Sequence, residues 1–213
     1  MTASAASGTI VAGKSTTLTL IATPTNSSAK QFSLAVTAPA NVSALAPATI
    51  AAGVPAKVTL AAAANAGAGT EKITFTASDA SGSRTLTYML TVTAPPTLRV
   101  APAAAALTVA PGKSAKVALR LIGGGSFAGQ VALSVSGLPA GVTATLSVDP
   151  VTLASGAGSS TLTLSVATWA KPVKAQIVLT AKGDGLTVVQ PIAIQIAKTT
   201  NIRVAAAQGI GGA

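Results

Sequence analysis

Apolar residues recur at every second position along most of this chain, with Thr, Ser, Lys or Gln between them. The runs Thr16-Leu18-Leu20, Ile73-Phe75-Ala77, Leu86-Tyr88-Leu90-Val92, Val117-Leu119-Leu121, Leu162-Leu164-Val166 and Ile192-Ile194-Ile196 all follow this spacing. A period of two puts successive apolar side chains on one face of a strand, so each run predicts a half-buried β-strand. No window of about eleven residues sustains the three-and-four spacing of an amphipathic helix. The alanine runs near Ala61 and Ala103 have helix propensity, but Asn65, Gly67 and Pro102 interrupt them. The pattern predicts an all-β chain.

The pattern also repeats. Val11-Ala12-Gly13-Lys14-Ser15 matches Pro111-Gly112-Lys113-Ser114, Leu18 and Leu20 fall on Val117 and Leu119, and Phe32, Leu34 and Val36 fall on Val131, Leu133 and Val135. Pro39-Ala40-Asn41-Val42 then aligns with Pro139-Ala140-Gly141-Val142, and Phe75 and Ala77 with Leu179 and Ala181. The small drift in offset falls between strands. Each repeat is about a hundred residues long, a size that folds alone and buries a core. The expected division is residues 1–94, residues 95–198 and a tail of residues 199–213.

The ends are out of phase with the repeat. Thr97-Leu98-Arg99-Val100 opens the second repeat, and Asn201-Ile202-Arg203-Val204 recurs in the tail, whereas the matching position of the first repeat falls before Met1. The first repeat is therefore expected to lack its first strand, and residues 199–213 to carry a spare one.

Gly183-Asp184-Gly185 between two alternating runs signals a tight hairpin, and Ser78-Asp79-Ala80-Ser81-Gly82-Ser83 predicts an equivalent, longer one in the first repeat. Six to eight short strands per repeat, with turns every eight to twelve residues or so, read as two tandem immunoglobulin-like antiparallel β-sandwich domains. The stretch Ser136-Gly137-Leu138-Pro139-Ala140-Gly141-Val142-Thr143-Ala144, followed by Pro150, a Gly/Ser turn at residues 155–160 and Thr161-Leu162-Thr163-Leu164, resembles the immunoglobulin-like and fibronectin III-like modules of bacterial extracytoplasmic proteins. The resemblance spans nearly all of both repeats, more loosely in the first, where Ala38 and Asn41 replace the usual Leu and Gly. It implies a spacer, an adhesin stalk or an accessory to a secreted hydrolase, located extracellularly or on the cell surface.

Composition bears on location and partners. The chain has no cysteine and no histidine, 8% charged residues and a net charge of +10. The N-terminal residues lack the basic start and apolar run of a signal peptide, so the chain reads as mature, truncated or cytoplasmic. No stretch reaches the roughly 18 apolar residues of a membrane-spanning helix. The positive charge favours anionic partners such as cell-surface polymers. The cations are nevertheless spread singly, with Lys113-Lys116-Arg120 the densest group, and five aromatic residues are too few for nucleic-acid stacking platforms, so no specific nucleic-acid partner is expected. Lysines spaced along strands also discourage unwanted edge pairing.

Candidate chemistry is sparse. Gly8-Thr9-Ile10-Val11-Ala12-Gly13-Lys14-Ser15 spells the phosphate-loop pattern, but that motif needs a following helix, and Thr16 to Leu20 continues as a strand. Glu71, Asp79, Asp149 and Asp184 are the only carboxylates and are far apart in sequence, with Asp79 and Asp184 in equivalent hairpins. Without histidine or cysteine there is no ordinary base for a serine nucleophile and no zinc set, so neither an enzyme nor a cofactor nor a metal is expected. A Lys116–Asn201 isopeptide lacks an apolar, aromatic-rich surround. Tyr88, in step with Leu86 and Leu90, is expected in the core. Trp169, in the loop Ala167–Pro172, is the candidate ligand contact, read either as a sugar-stacking residue or as a loop anchor folded onto the sandwich.

The candidate interface is Thr200, Asn201, Ile202, Arg203 and Val204. A sandwich short of a strand exposes an edge that a partner strand can fill. The tail of one chain completing the first domain of the next would give head-to-tail self-association as a fibre or stalk. Short Pro95-Pro96 suits a stiff joint between neighbouring repeats. The other function class considered is a carbohydrate-binding or spacer module of a secreted hydrolase or adhesin.

Overall fold

The computed structural model describes residues 1–24 and 30–198. The described residues contain eighteen strands and no helix. The first nine are β1 Thr2–Ala3, β2 Ser7–Val11, β3 Ser15–Ile21, β4 Gln31–Thr37, β5 Val42–Leu45, β6 Thr49–Ala51, β7 Ala56–Ala62, β8 Gly69–Asp79 and β9 Gly82–Thr93. The second nine are β10 Thr97–Pro102, β11 Ala106–Val109, β12 Ser114–Gly124, β13 Gln130–Ser136, β14 Val142–Leu146, β15 Val151–Thr152, β16 Ala157–Val166, β17 Val173–Gly183 and β18 Leu186–Ile196. The chain divides into two units, one of Met1–Thr97 with Gly124–Phe127, the other of Leu98–Gly123 with the residues from Ala128 onward.

Each unit is a two-sheet sandwich, and strand n of the first corresponds to strand n + 9 of the second. The four-stranded sheets run β1-β3-β7-β5 and β10-β12-β16-β14, and the five-stranded sheets run β2-β9-β8-β4-β6 and β11-β18-β17-β13-β15. In each unit one short strand pairs in parallel with the last long strand, β2 with β9 and β11 with β18, while the other pairs with given registers are antiparallel. This is the immunoglobulin-like arrangement expected from the alternation.

Register confirms the alignment residue by residue. Val36 lies opposite Phe75 and Val135 opposite Leu179; Ile73 lies opposite Tyr88 and Ile177 opposite Ile192. These inward residues build the cores. In the first unit Leu18, Leu20, Val58, Leu60, Ile73, Phe75, Leu90 and Val92 form one buried cluster between the sheets. In the second Val117, Leu119, Leu121, Leu162, Leu164, Ile177, Leu179, Ile192 and Ile194 are buried at the matching positions. The outward residues of the same strands are the intervening Thr, Ser, Lys and Gln, so a one-residue slip would expose every core side chain.

Two expectations need correction. The first unit does not lack its first strand, because Thr2–Ala3 pairs with Ile21 and Leu20, and the Ser4 amide donates to the Thr19 carbonyl at 2.8 Å. The strand is a two-residue counterpart of the six-residue β10. The hairpin of the first unit is also tight: Asp79 pairs with Gly82, leaving only Ala80 and Ser81 between the strands. In the second unit Gly183 pairs with Leu186, and Asp184 and Gly185 both take positive φ, 49° and 73°, as a type I′ turn requires. Asp79 therefore flanks its turn while Asp184 lies inside the other, one position apart.

Candidate strand-acceptor site

The two units differ at the edge of β3. In the second unit β10 runs beside β12, and the Ala103 amide donates to the Ala118 carbonyl at 2.8 Å. The Ser4-to-Thr19 bond of the first unit is the same bond 99 residues earlier, since Lys14 and Lys113, Leu18 and Val117 and Leu20 and Leu119 all differ by 99. Counting back along both strands places Ala3 at the position of Pro102 and Met1 at that of Val100. Val100 is 5% exposed. Met1 is half-buried and packs on the first unit's core and on the small buried cluster of Ala22, Phe32, Ile50 and Ala77.

Met1 also lines a cavity of about 150 Å³. Its apolar floor is Met1, Ala22, Phe32 and Ala77, and its polar rim is Thr23, Asp79, Ser81, Ser83 and Arg84. The floor is deepened by one exchange. Ala22 stands where the second unit has Leu121, which is fully buried. Within the rim the Asp79 carboxylate accepts from the Ser81 hydroxyl at 2.6 Å and the Ser81 amide at 2.8 Å. Those bonds hold the Asp79 carboxyl below its usual range.

Thr200, Asn201, Ile202, Arg203 and Val204, the expected donor residues, lie outside the described residues. Their relation to this edge is one of sequence spacing. Leu98 follows the core residue Val92 of β9 by six positions, and Ile202 follows the equivalent Ile196 of β18 by the same six.

Trp169 is 69% exposed and belongs to the β16–β17 loop, where the Ala167 amide donates to the Gly141 carbonyl at 2.8 Å. Its ring lies over Gly141, whose φ is 80° and where a Cβ would come within 3.1 Å of the ring. The residue is thus seated against the turn on one side and open to solvent on the other. In the first unit the position is Asn65, and with no ring above it the equivalent turn accommodates Asn41.

The phosphate-loop pattern dissolves into a strand and a turn. Gly8 lies in β2 directly under Tyr88, where a Cβ would collide with the phenol oxygen, and Gly13 has φ 80° in the turn into β3. Tyr88 is 4% exposed and part of the core, as its alternation implied, and burial pushes its phenol up from the ordinary value. Lys116 is exposed on β12 opposite Thr163, and its imagined partner Asn201 lies outside the described residues. Asp149 accepts from the Leu133 amide at 2.8 Å and Asp184 from the Ala128 amide at 3.2 Å, so both acids brace backbone in the second unit. Among the described residues no three His, Cys, Asp or Glu side chains converge as metal ligands, and no helix is long and apolar enough to cross a membrane.

No protein-family model and no curated protein matches the chain. Among solved structures it is similar to the I-band fragment I67-I69 of titin, at 13% identity and a TM-score of 0.48, over 89% of this chain and 62% of that one. It is also similar to a family 123 glycoside hydrolase from Clostridium perfringens, at 9% identity and a TM-score of 0.39, over 48% of this chain and 28% of that one. A third similarity is to an endo-fucoidan hydrolase of glycoside hydrolase family 107, at 14% identity and a TM-score of 0.33, over 91% of this chain and 28% of that one. The chain thus spans less than two thirds of the length of each of these.

Proposed function

We propose that this chain is a non-enzymatic structural module of the bacterial cell exterior, a spacer or stalk whose units are joined head to tail by strand donation. The observation that carries this reading is the recurrence, beyond β18, of the sequence that enters β10. β1 covers only Ile21 and Leu20 of its neighbour, while Asn201-Ile202-Arg203-Val204 repeats the entry sequence of β10 at the same distance from the preceding core strand. Main-chain pairing along such an edge needs no particular ligand chemistry, only a strand of the right apolar phase. The contact joins two different surfaces, so it propagates into a chain of subunits when its rotation does not close.

The extracytoplasmic setting is supported by the resemblance of the Ser136–Leu146 stretch, with the Pro150 and Gly/Ser turn after it, to bacterial surface modules, and by a composition without cysteine or histidine. Partners under this reading are further copies of the chain or neighbouring repeats, with anionic surface polymers attracted by the net charge of +10. The test is light scattering over a concentration series, comparing the full chain with a version ending at Lys198. Mass rising with concentration for the full chain alone supports donation. Equal masses for both at every concentration refute it.

Exposure of Trp169 favours one second reading, a carbohydrate-binding accessory of a secreted hydrolase. An amphipathic ring seated on Gly141 with one side free presents a surface for sugar stacking. Retention on insoluble polysaccharide that disappears in Trp169→Ala would move the assignment to that class.

A further inference from the structure

One sheet of the second unit carries cations on its outer face and no acid beside them. We infer that the outer face of the sheet β10-β12-β16-β14 binds an acidic polysaccharide, with Arg99 and Arg120 holding its anionic groups and a groove floored by Ala101, Pro102, Ala103 and Ala118 seating its sugar rings. The inference deepens the partner reading given above, from diffuse attraction by net charge to one face, and does not depend on strand donation.

Register supplies the first step. Val117, Leu119 and Leu121 of β12 are buried, so the alternating Lys116, Ala118 and Arg120 face outward, and all three are exposed. On one side Lys116 lies opposite Thr163, Ala118 opposite Thr161 and Arg120 opposite Ser159 of β16, and Thr163 lies opposite Thr145 of β14. On the other side the Ala103 amide bonds to the Ala118 carbonyl, which puts Ala101 of β10 opposite Arg120. Arg99, also exposed, is then the diagonal neighbour of Arg120, with Cβ atoms roughly 7–8 Å apart.

Charge and shape supply the second step. The acidic side chains of the second unit lie elsewhere, Asp149 bonded to the Leu133 amide in the other sheet and Asp184 in the β17–β18 turn. Two guanidiniums side by side repel, and an anion laid between them removes that repulsion. Edge protection does not account for Lys116 and Arg120, because β12 is an inner strand. Nor does the fold require them, since the first unit has Thr17 and Ile21 at those positions. A guanidinium meets a carboxylate or a sulfate through two parallel hydrogen bonds, which a sugar acid or sugar sulfate supplies. Beside Arg120 the face dips into a shallow groove of about 660 Å³, reaching from Ala101, Pro102 and Ala103 across Ala118 to Ser159. Its small apolar floor suits the C–H faces of sugar rings, and the neighbouring hydroxyls of Ser159, Thr161 and Thr163 suit their polar rims. The four strands carry no aromatic residue, so nucleic-acid bases find no stacking platform here.

The test is binding of the full chain to fluorescently labelled polygalacturonate and dextran sulfate, followed by anisotropy at about 0.15 M ionic strength, beside neutral dextran and duplex DNA. The chain is expected to bind at least one of the acidic polysaccharides, to ignore neutral dextran and to bind the duplex more weakly. Arg99→Gln with Arg120→Gln should weaken polysaccharide binding by about tenfold or more, and Ala118→Glu, which sets a carboxylate on the groove floor, should do the same. Lys57→Gln with Lys72→Gln removes the same charge from exposed strand positions of the first unit and should weaken binding by less than about twofold. Circular dichroism melts matching the parent chain establish that each variant is folded. If the arginine and lysine pairs weaken binding equally, or Ala118→Glu binds normally, attraction by net charge stands and this face is overturned. If the duplex binds as tightly as the polysaccharides and with the same dependence on Arg99 and Arg120, the ligand class is overturned. If neither acidic polysaccharide binds, the anionic-polymer reading fails together with the face.

Discussion

The two sandwiches are one topology filled in two ways, and the clearest difference lies where β2 and β11 cross the core. In the first unit Gly8 sits under Tyr88; in the second the equivalent positions are Leu107 and Ile192. The registers Gly8 to Leu90 and Leu107 to Ile194 are the same. One unit therefore puts all the volume on the long strand and none on the short one, and the other divides it between them. A close-packed interior constrains the summed volume at a site more tightly than it constrains which residue supplies it.

The largest test of the comparison is the loss of a ring or a leucine from equivalent centres. Phe75 and Leu179 are both fully buried. Phe75→Ala is expected to cost about 3–5 kcal/mol and Leu179→Ala about 2–5 kcal/mol. The chain reports on each unit separately, since its single tyrosine, Tyr88, lies in the first and its single tryptophan, Trp169, in the second. Phe75→Ala should lower the denaturation midpoint seen by tyrosine and leave the tryptophan transition in place; Leu179→Ala should do the reverse. Coincident shifts of both signals would mean that the units unfold as one.

Exchange of the crossing pair comes next. Gly8→Leu drives a side chain into the Tyr88 phenol and is expected to destabilise the first unit by about 1–3 kcal/mol. Adding Tyr88→Ile recreates the Leu107–Ile192 solution, so the double variant should recover most of that loss. A coupling of about 0.5–3 kcal/mol in the double-mutant cycle is the expected outcome. Additive effects would show that volume is not shared across the crossing.

Much of this fold was legible in the chain because an all-β sandwich writes its two faces as alternating letters. Phe32, Leu34 and Val36 against Val131, Leu133 and Val135 were enough to align the units, and the observed registers agree. What alternation does not convey is strand length at an edge. Met1-Thr2-Ala3 carries no period of its own, so β1 shows itself only in the structure, through its pairing with Ile21 and Leu20, the bond from Ser4 to Thr19 and the packing of Met1. The cavity beside Met1 was equally hidden, because it is lined by Ala22 where the second unit has Leu121, a change that reads as apolar for apolar. Gly8 was legible only as a motif letter until Tyr88 was placed above it.

Gly141 sharpens the comparison at the turn. Its positive φ and the overlying Trp169 ring both oppose a side chain, whereas Asn41 in the first unit has neither constraint. Gly141→Ala should cost about 1–2 kcal/mol through the left-handed backbone alone. It should also shift the Trp169 emission, because the ring must lift off the turn. Asn41→Gly is expected to change stability by well under that amount, through chain entropy only. A silent Gly141→Ala would mean that the turn relaxes out of its left-handed conformation.

The smallest expected difference between the units is their response to alkali. Burial raises the Tyr88 phenol above the value of 10.0 it has in open chain, and the second unit contains no tyrosine. Below about pH 10 the phenol is protonated in both folded and unfolded chains, and its contribution to stability is fully present. As the pH rises past that point, the unfolded chain releases the proton while the folded unit still holds it. The unfolded state then binds fewer protons, and stability falls with pH until the folded phenol ionises as well. Denaturation followed by tyrosine and by tryptophan at about pH 9 and about pH 11 should therefore show an extra loss confined to the first unit. Tyr88→Phe keeps the ring and removes the titrating group, so it should abolish that extra loss, followed by circular dichroism because the variant has no tyrosine signal. If the loss survives in Tyr88→Phe, its source lies in the lysines that both units carry, and the crossing pair is not what separates them.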